Sequence, residues 1–159
     1  MKIEEVMIKN VVTLQEDVSV HEAVKLMNEN RIGCLVVLQY GQVVGIVTER
    51  DMLERVLEKC RNPKETKVTE IMTKRVIVGK LGIRLDEAAK LMFEKKVKKL
   101  PIVEGNRLVG LVTLTDLARM ASLDEKTMEL IETRERFLEA CMHAWDTTLK
   151  KQDQSAVAR

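Results

Sequence analysis

The sequence predicts a mixed α/β (α+β) fold, with two pseudo-symmetric β-α-β-β-α repeats and a long C-terminal helix. The first observation is an internal repeat: without a gap, residues 5–51 and 70–116 are identical at 16 of 47 positions, a spacing of 65 residues. The second is a shared ending, GIVTERD at Gly45–Asp51 and GLVTLTD at Gly110–Asp116. Only two copies are present, and each is too small to bury a core well alone. A pseudo-symmetric pair is therefore favoured over a long solenoid.

Four segments follow from the repeat. We assign residues 1–60 to the first repeat, 61–67 to a linker, 68–121 to the second repeat and 122–159 to a C-terminal helical extension. Of the 159 residues, 45% are hydrophobic but only 3% are aromatic, which predicts an aliphatic core.

Charge and cysteine content exclude several classes of protein. The net charge of +2 is too small to indicate nucleic-acid binding. Three cysteines without a CxxC pair predict neither a disulfide framework nor a zinc site. No signal peptide or membrane-spanning apolar run is recognisable, so we expect a soluble cytoplasmic protein with no membrane partner.

The first half of the first repeat predicts a strand and a helix. The run Val11–Thr13 is typical of a short strand. Ser19 and Glu22 form a capping-box pattern, and the following apolar residues recur at helical spacing. Gly33 is expected to end this helix.

The second half of the first repeat predicts a hairpin and another helix. Cys34–Leu38 reads as a buried strand, Tyr40-Gly41-Gln42 as a turn and Val43–Thr48 as the returning strand. A helical pattern runs from Glu49 through about Lys59 and stops at Asn62-Pro63.

The second repeat shows the same order. Its strand, helix, hairpin strands and last helix are expected at Val76–Val78, Leu85–Lys95, Leu100–Val103, Leu108–Thr113 and from Leu114 onward. The segment after Ala121 has no counterpart in the repeat. Ser122 and Glu125 form another capping box, and apolar residues at helical spacing predict a long amphipathic helix.

The repeated ending has a chemical reading. A strand that ends at Thr48 and passes directly into a helix places free backbone N–H groups beside a hydroxyl, with Asp51 one turn further on. Thr113 and Asp116 repeat this arrangement. Such a site suits a ligand that carries a phosphate and vicinal hydroxyls. The alternative is an ordinary threonine N-cap followed by an acidic residue, which stabilises any helix.

These motifs, taken together, resemble the cystathionine beta-synthase (CBS) domain. They are Val6-Met7, Val-h-x-h, Glu-Ala-x-x-Leu-Met, an aliphatic strand and Gly-h-Val-Thr-x-x-Asp, in order and twice, between Val6 and Arg119. A tandem pair of CBS domains is a Bateman module. The resemblance implies that the repeats pack through their sheets and form two clefts for AMP, ADP or ATP, and sometimes S-adenosylmethionine. It also implies a flat homodimer.

The resemblance also implies roles for individual residues. Asp51 and Asp116 would bind ribose hydroxyls, and Thr48 and Thr113 would bind the ribose or the first phosphate. The adenine would be lined by Val11, Thr13, Cys34, Leu35, Val36, Val76, Val78, Lys99, Leu100 and Pro101. The candidate set is completed by Arg50, Lys98 and Thr115.

The two copies are not equivalent in charge. The run Lys95–Lys99 adjoins the second cleft, whereas the first offers Arg31 and Arg50. We therefore expect the second cleft to bind phosphate more tightly, because phosphate needs a cationic partner. A solvated helix C-terminus is the alternative explanation for the lysines.

Catalysis is not predicted, because no Cys–His, Ser–His–Asp or paired-carboxylate pattern is recognisable. The favoured function is a regulatory adenine-nucleotide sensor. The alternatives are a dimerisation or partner-interaction module with vestigial clefts, an S-adenosylmethionine-binding regulator, and a nucleic-acid-binding regulator, for which no reading helix is evident. The C-terminal helix either locks a homodimer or folds back on its own module. A protein partner of unknown identity also remains open.

Overall fold

The computed structural model describes residues 1–121 and contains one six-stranded mixed sheet flanked by helices. The strands are β1 Thr13–Gln15, β2 Cys34–Gln39, β3 Gln42–Thr48, β4 Gly79–Lys80, β5 Lys99–Glu104 and β6 Arg107–Thr113. The helices are α1 Val20–Asn30, α2 Glu49–Met52, α3 Val68–Ile71, α4 Leu85–Glu94 and α5 Leu114–Ala121. The predicted C-terminal helix lies outside the described residues. The α/β fold class and the repeated β-α-β-β-α order are confirmed.

The sheet joins the two repeats edge to edge. Its strand order is β1-β2-β3-β6-β5-β4, and the pairing of β3 with β6 is made at Gln42 and Arg107. Each repeat contributes an antiparallel hairpin with a parallel strand on its outer side. The first hairpin turns at Tyr40 and Gly41, whose φ angles of 50° and 78° fit a tight two-residue turn.

Helix α1 begins as predicted but ends earlier. Ser19 accepts from the Glu22 amide, and the Glu22 carboxylate accepts from the Ser19 amide at 3.0 Å. The helix ends at Asn30, and Arg31 takes the left-handed conformation at φ 52°. The expectation that Gly33 ends the helix is therefore wrong, because Arg31 already makes the left-handed turn.

The short first strand of each repeat lies later than predicted. The structure starts β1 at Thr13, which pairs with Val36 of β2, and β4 at Gly79, which pairs with Ile102 of β5. Val11 and Val12 therefore precede the strand, and Val76–Val78 precede β4 entirely. The neighbouring strands β2 and β5 begin earlier, at Cys34 and Lys99, so the chain before Thr13 and Gly79 is left without ladder pairing. In the second repeat the register sets Val78 opposite Pro101, which has no amide to donate.

The helix after β3 changes its hydrogen bonding after one turn. It is α-helical over Glu49–Met52 and π-helical over Leu53–Leu57, where the Glu58 amide donates to the Leu53 carbonyl at 2.9 Å. Leu53 and Leu57 are exposed by 59% and 70%, so this segment presents apolar side chains to solvent.

Three apolar clusters hold the molecule together. One lies in each repeat, with buried residues such as Leu35 in the first and Leu100 in the second. The third contains Cys34 and Val36 from β2 together with Leu111 from β6. Because this third cluster draws on both hairpins, the two repeats do pack through their sheets.

The segments at the start of each repeat are exchanged between the cores. Ile3 is fully buried in the second repeat's core, where its amide donates to the Ile83 carbonyl at 3.0 Å. Reciprocally, Val68 and Ile71 are buried in the first repeat's core. The exchange carries Ile8 to a bridge with Leu111 on β6. The chain that follows Ile8 is thereby held at the boundary between the repeats.

Candidate ligand-binding cleft

A cavity of about 440 Å³ lies where the two repeats meet. Its lining residues are Ile8, Asn10, Val11, Val12, Ile32, Gly33, Cys34, Lys98, Lys99, Leu111, Thr113, Leu114 and Thr115. The volume falls within the range of small-molecule sites, which are mostly apolar with a few convergent polar groups. Here the apolar groups come mainly from the first repeat, and the lysines and threonines come from the second.

The cavity brings together only some of the predicted site residues. Those that line it are Val11, Cys34, Lys98, Lys99, Thr113 and Thr115. The predicted residues that do not line it are Thr13, Leu35, Val36, Thr48, Arg50, Asp51, Val76, Val78, Leu100, Pro101 and Asp116. Leu35, Val36 and Leu100 are fully buried in the apolar clusters.

The cavity crosses the repeats, whereas the sequence analysis grouped each signature with the strands of its own repeat. Val11 and Cys34 of the first repeat face the same space as Thr113 and Thr115 of the second. Val76 and Val78, which were expected to line the adenine, are not among the residues that line this cavity, and Val78 is 36% exposed. The packing of β2 against β6 and the exchange of the N-terminal segment cause this arrangement.

Val12, part of the Val11–Thr13 run expected along the adenine, also lines the cavity. The lining residues that the sequence did not indicate are Ile8, Asn10, Ile32, Gly33, Leu111 and Leu114. The sequence held a signal for two of them: the repeat aligns Gly33 with the predicted site residue Lys98, and Leu114 lies between the predicted residues Thr113 and Thr115. The Leu114 amide donates to the Lys98 carbonyl at 3.1 Å, and the Glu49 amide donates to the Gly33 carbonyl at 3.2 Å. These bonds are related by the 65-residue repeat, and each ties the start of a signature helix to the residue before its hairpin.

The Thr113–Asp116 turn presents its polar groups beside the cavity. The Asp116 Oδ2 atom accepts from the Thr113 amide at 2.8 Å and from the Thr113 hydroxyl at 2.6 Å. The Asp116 amide donates to the Thr113 Oγ1 atom at 3.3 Å. Thr113 lines the cavity, so Asp116 is one hydrogen bond away from it.

The Thr48–Asp51 turn has the same internal bonds and one additional partner. The Asp51 Oδ2 atom accepts from the Thr48 amide and from its hydroxyl, both at 2.8 Å. In addition, the Asp51 Oδ1 atom lies 3.4 Å from Arg55 Nη1. The helix-cap interpretation therefore describes the hydrogen bonding of both turns, and a role in ligand binding stays a prediction.

Two charged residues act on the thiol that lines the cavity. Burial raises the pKa of Cys34, which is 6% exposed, while Lys99 lowers it and Glu49 raises it. Lys99 is half-buried and Lys98 is exposed at the cavity edge, and neither forms an ion pair within residues 1–121. The cleft therefore offers two cations to an anionic ligand.

Neither a metal site nor a membrane-spanning helix is found in the described part of the chain. No group of three or more histidine, cysteine, aspartate or glutamate residues could hold a metal ion there. No helix within residues 1–121 is long and apolar enough to cross a membrane.

Comparison with known proteins decides the family. The CBS domain model matches twice, at residues 3–58 and 68–122. The chain belongs to the CBS domain family. CBS domain pairs are regulatory ligand-binding modules, and the internal repeat corresponds to the two matched domains.

Similar proteins include both sequence relatives and solved structures. The chain is 33% identical to the CBS domain-containing protein YhcV of Bacillus subtilis, over 73% of this chain and 82% of that protein. The CBS domain pair of protein MJ0100, solved with 5-methylthioadenosine and S-adenosyl-L-methionine, is 26% identical with a TM-score of 0.69, covering 76% of this chain and 94% of that one. A hexameric CBS-CP12 protein from bloom-forming cyanobacteria is 31% identical with a TM-score of 0.68, covering 74% of this chain and 66% of that one.

Proposed function

We propose that this CBS domain pair is a regulatory, non-catalytic module that binds an adenine nucleotide (AMP, ADP or ATP) in the cross-repeat cleft and acts as an energy or metabolite sensor. The observation that carries the proposal is one cavity that combines an apolar wall, two lysines and Thr113, whose hydroxyl is bonded to Asp116. Each of these features suits one part of a nucleotide.

The apolar wall suits the adenine base. Val11, Val12 and Ile32 offer aliphatic surface, and the buried thiol of Cys34 adds a small apolar group. A flat base placed against these side chains removes apolar area from water, which favours binding by roughly 25 cal/mol per Å².

The polar side of the cleft suits ribose phosphate. The Thr113 hydroxyl donates to Asp116, which leaves its oxygen able to accept from a ligand hydroxyl. Lys98 and Lys99 supply charge-assisted hydrogen bonds to phosphate oxygens. The neighbouring Thr115 offers a further hydroxyl at the start of α5.

A nucleotide in this position would contact both repeats. Binding would therefore stabilise one packing of the first hairpin against the second, which is how a ligand shifts a population of conformations. The cavity lining itself carries no histidine or carboxylate, and Asp116, which accepts from the Thr113 hydroxyl, is also bonded to the Thr113 amide as part of the helix cap. Regulation by binding is thus favoured over catalysis. The cytoplasmic localisation stays a prediction.

A thermal-shift series tests the proposal. The full chain is heated with AMP, ADP, ATP or S-adenosylmethionine. A ligand present at about 100 times its Kd should stabilise the folded state by about 2.7 kcal/mol and raise Tm. No shift with any of these compounds would contradict adenosine binding. A shift with S-adenosylmethionine alone would favour that ligand over nucleotides.

The lysine run offers a matched pair of variants for the same assay. Lys98→Gln/Lys99→Gln removes two charges from the cavity, whereas Lys95→Gln/Lys96→Gln removes two from neighbouring exposed positions. We expect the first pair to weaken the AMP shift and its salt dependence, and the second pair to leave both nearly unchanged. Equal effects would indicate a general surface charge instead of a phosphate site.

We also propose that the chain self-associates as a homodimer. The exposed Leu53 and Leu57 lie one helical turn apart, and large apolar groups at a surface indicate contact with another molecule. The hexameric neighbour supports association in this family. Light scattering of the full chain and of Leu53→Glu/Leu57→Glu tests the proposal, because the charged variant should shift the mass toward the monomer. An unchanged mass would exclude this surface as the interface.

A further inference from the structure

The two signature turns share their internal geometry and differ in their surroundings. In each, the threonine amide lies 2.8 Å from the aspartate Oδ2 atom, and the aspartate amide returns a bond of 3.3 Å to the threonine hydroxyl. The hydrogen bonds of the helix cap therefore do not distinguish Thr48–Asp51 from Thr113–Asp116. The two turns differ in the charged residues that surround them.

Asp51 has both carboxylate oxygens in use. Its Oδ2 atom serves Thr48, and its Oδ1 atom pairs with Arg55 one helical turn later. Arg55 also donates to the Ile71 carbonyl, which anchors its guanidinium between the signature helix and the exchanged segment. Asp51 itself is only 7% exposed. A ribose diol would therefore compete with the Arg55 guanidinium for Oδ1 of this carboxylate.

Asp116 is placed differently. The residue equivalent to Arg55 in the second repeat is Met120, which carries no charge. Within residues 1–121 no ion pair is formed to Asp116, and the hydrogen bonds that it accepts there all end on Oδ2. Asp116 is also more exposed than Asp51. Its Oδ1 atom is therefore available to a ligand hydroxyl.

The residues next to the two threonines reinforce the difference. Glu49 follows Thr48 and lies against Gly33, where an added Cβ would meet its Oε2 atom at 2.7 Å. Arg50 pairs with Glu54 at 2.6 Å. The equivalents in the second repeat, Leu114 and Thr115, are uncharged and line the cavity. A phosphate would thus meet the Glu49 carboxylate and an Arg50 already paired with Glu54 at the first turn, and neutral groups at the second.

We propose that each chain binds a single adenosine ligand, at the Thr113–Asp116 turn, and that the Arg55–Asp51 ion pair keeps the Thr48–Asp51 turn as a structural helix cap. This inference rests on the proposed function. In this proposal, the two equivalent turns differ in ligand binding because of the residue four positions after each aspartate. That residue is Arg55 in the first repeat and Met120 in the second.

Calorimetric titration with AMP tests the inference on the full chain and on two matched variants. Asp116→Asn and Asp51→Asn keep the side-chain size and remove the charge. We expect one site per chain in the unmodified protein, an affinity loss of about tenfold or more in Asp116→Asn, and unchanged affinity in Asp51→Asn. Because Asp51→Asn leaves Arg55 without its partner, it should lower Tm more than Asp116→Asn does.

A third variant, Arg55→Met, tests the role of the ion pair even if Asp51→Asn does not fold. Arg55→Met copies the second repeat and frees Asp51, so we expect a second, weaker AMP site to appear. A stoichiometry that stays at one in Arg55→Met would overturn the role of Arg55. Two equal sites in the unmodified chain, or binding lost in Asp51→Asn and kept in Asp116→Asn, would overturn the single-site inference while the proposed function stands. Absence of binding to AMP, ADP, ATP and S-adenosylmethionine would overturn the proposed function and this inference with it.

Discussion

Cys34 is a buried residue of the cleft whose pKa is affected by neighbouring charges. Its thiol lines the cavity, is 6% exposed and has a pKa that burial raises, against the opposing influence of Lys99. Because the thiolate is the reactive form, Cys34 is held in its neutral and less nucleophilic state at neutral pH. Cys60, by contrast, is exposed.

Alkylation should therefore distinguish the two thiols. In a Cys141→Ser background, we expect iodoacetamide to modify Cys34 at least about tenfold more slowly than Cys60, because burial hides the thiol and lowers its thiolate fraction. AMP should slow the reaction of Cys34 further and leave Cys60 unaffected. Peptide mass spectrometry over time measures both rates. Equal rates, or no protection by a saturating ligand, would argue against Cys34 as part of the ligand wall.

At the residue scale, the sequence identified the polar groups that form each turn but not the residues that surround the turns. Thr113 and Asp116 are recognisable because a hydroxyl and a carboxylate three positions apart at a helix start form a local pattern. Val11 and Thr113, which line the same cavity, are about one hundred positions apart in the chain. No local periodicity encodes such proximity, so the sequence alone did not indicate that these two residues share a cavity.

At the scale of elements, the exchanged segments position the cleft. Ile3 is buried in the second repeat's core, and Met7 packs against Gly110, where an added Cβ would lie 2.9 Å from its Cγ atom. Met72 and Gly45 repeat this contact in the first repeat. The chain between Ile3 and Val11 is thereby fixed at both ends, which holds Ile8 and Val11 on the cavity.

Shortening the buried anchor should weaken the second repeat. We expect Ile3→Ala to lower the free energy of unfolding by about 2–5 kcal/mol, the usual cost of a core isoleucine-to-alanine change. Ile8→Ala is the matched control, because Ile8 is 44% exposed and should cost much less. Urea denaturation measures both variants. Similar losses in the two would show that the N-terminal segment is not anchored through Ile3.

The elements themselves were largely predictable, and their ends were less so. The capping box of α1 and the two hairpins were predicted because each depends on neighbouring residues. The starts of β1 and β4 were misplaced, because they depend on pairing with residues of β2 and β5 that lie more than twenty positions away in the chain, and not on neighbouring residues. The π-helical turn at Leu53–Leu57 was likewise absent from the helical pattern, since an amphipathic spacing does not distinguish α from π hydrogen bonding.

At the scale of the whole molecule, two similar halves produce an asymmetric cleft. The repeats share their signature and the order of their elements, but Arg55 corresponds to Met120 and Gly33 to Lys98. Their sheets pack through the Cys34, Val36 and Leu111 cluster, so a ligand beside this cluster touches both halves. The two repeats thus share one backbone arrangement, and a few residue differences between them determine the charge of the cleft.

Residues 122–159 provide a prediction about assembly. The sequence places Ile131, Leu138 and Trp145 seven residues apart, a spacing typical of one apolar helix stripe. We expect this segment to lock a homodimer, so deleting it should reduce the mass measured by light scattering and lower Tm. A truncated chain that is as dimeric and as heat-stable as the full one would show that the segment is not the clamp.

A crystal structure of the full chain with AMP tests the central claim most directly. The account predicts the adenine against Val11 and Cys34 of the first repeat, the ribose at Thr113 and Asp116 of the second, and the phosphate near Lys98 and Lys99. A nucleotide bound at Thr48–Asp51 instead, or a cleft that remains empty at saturating AMP, would contradict it.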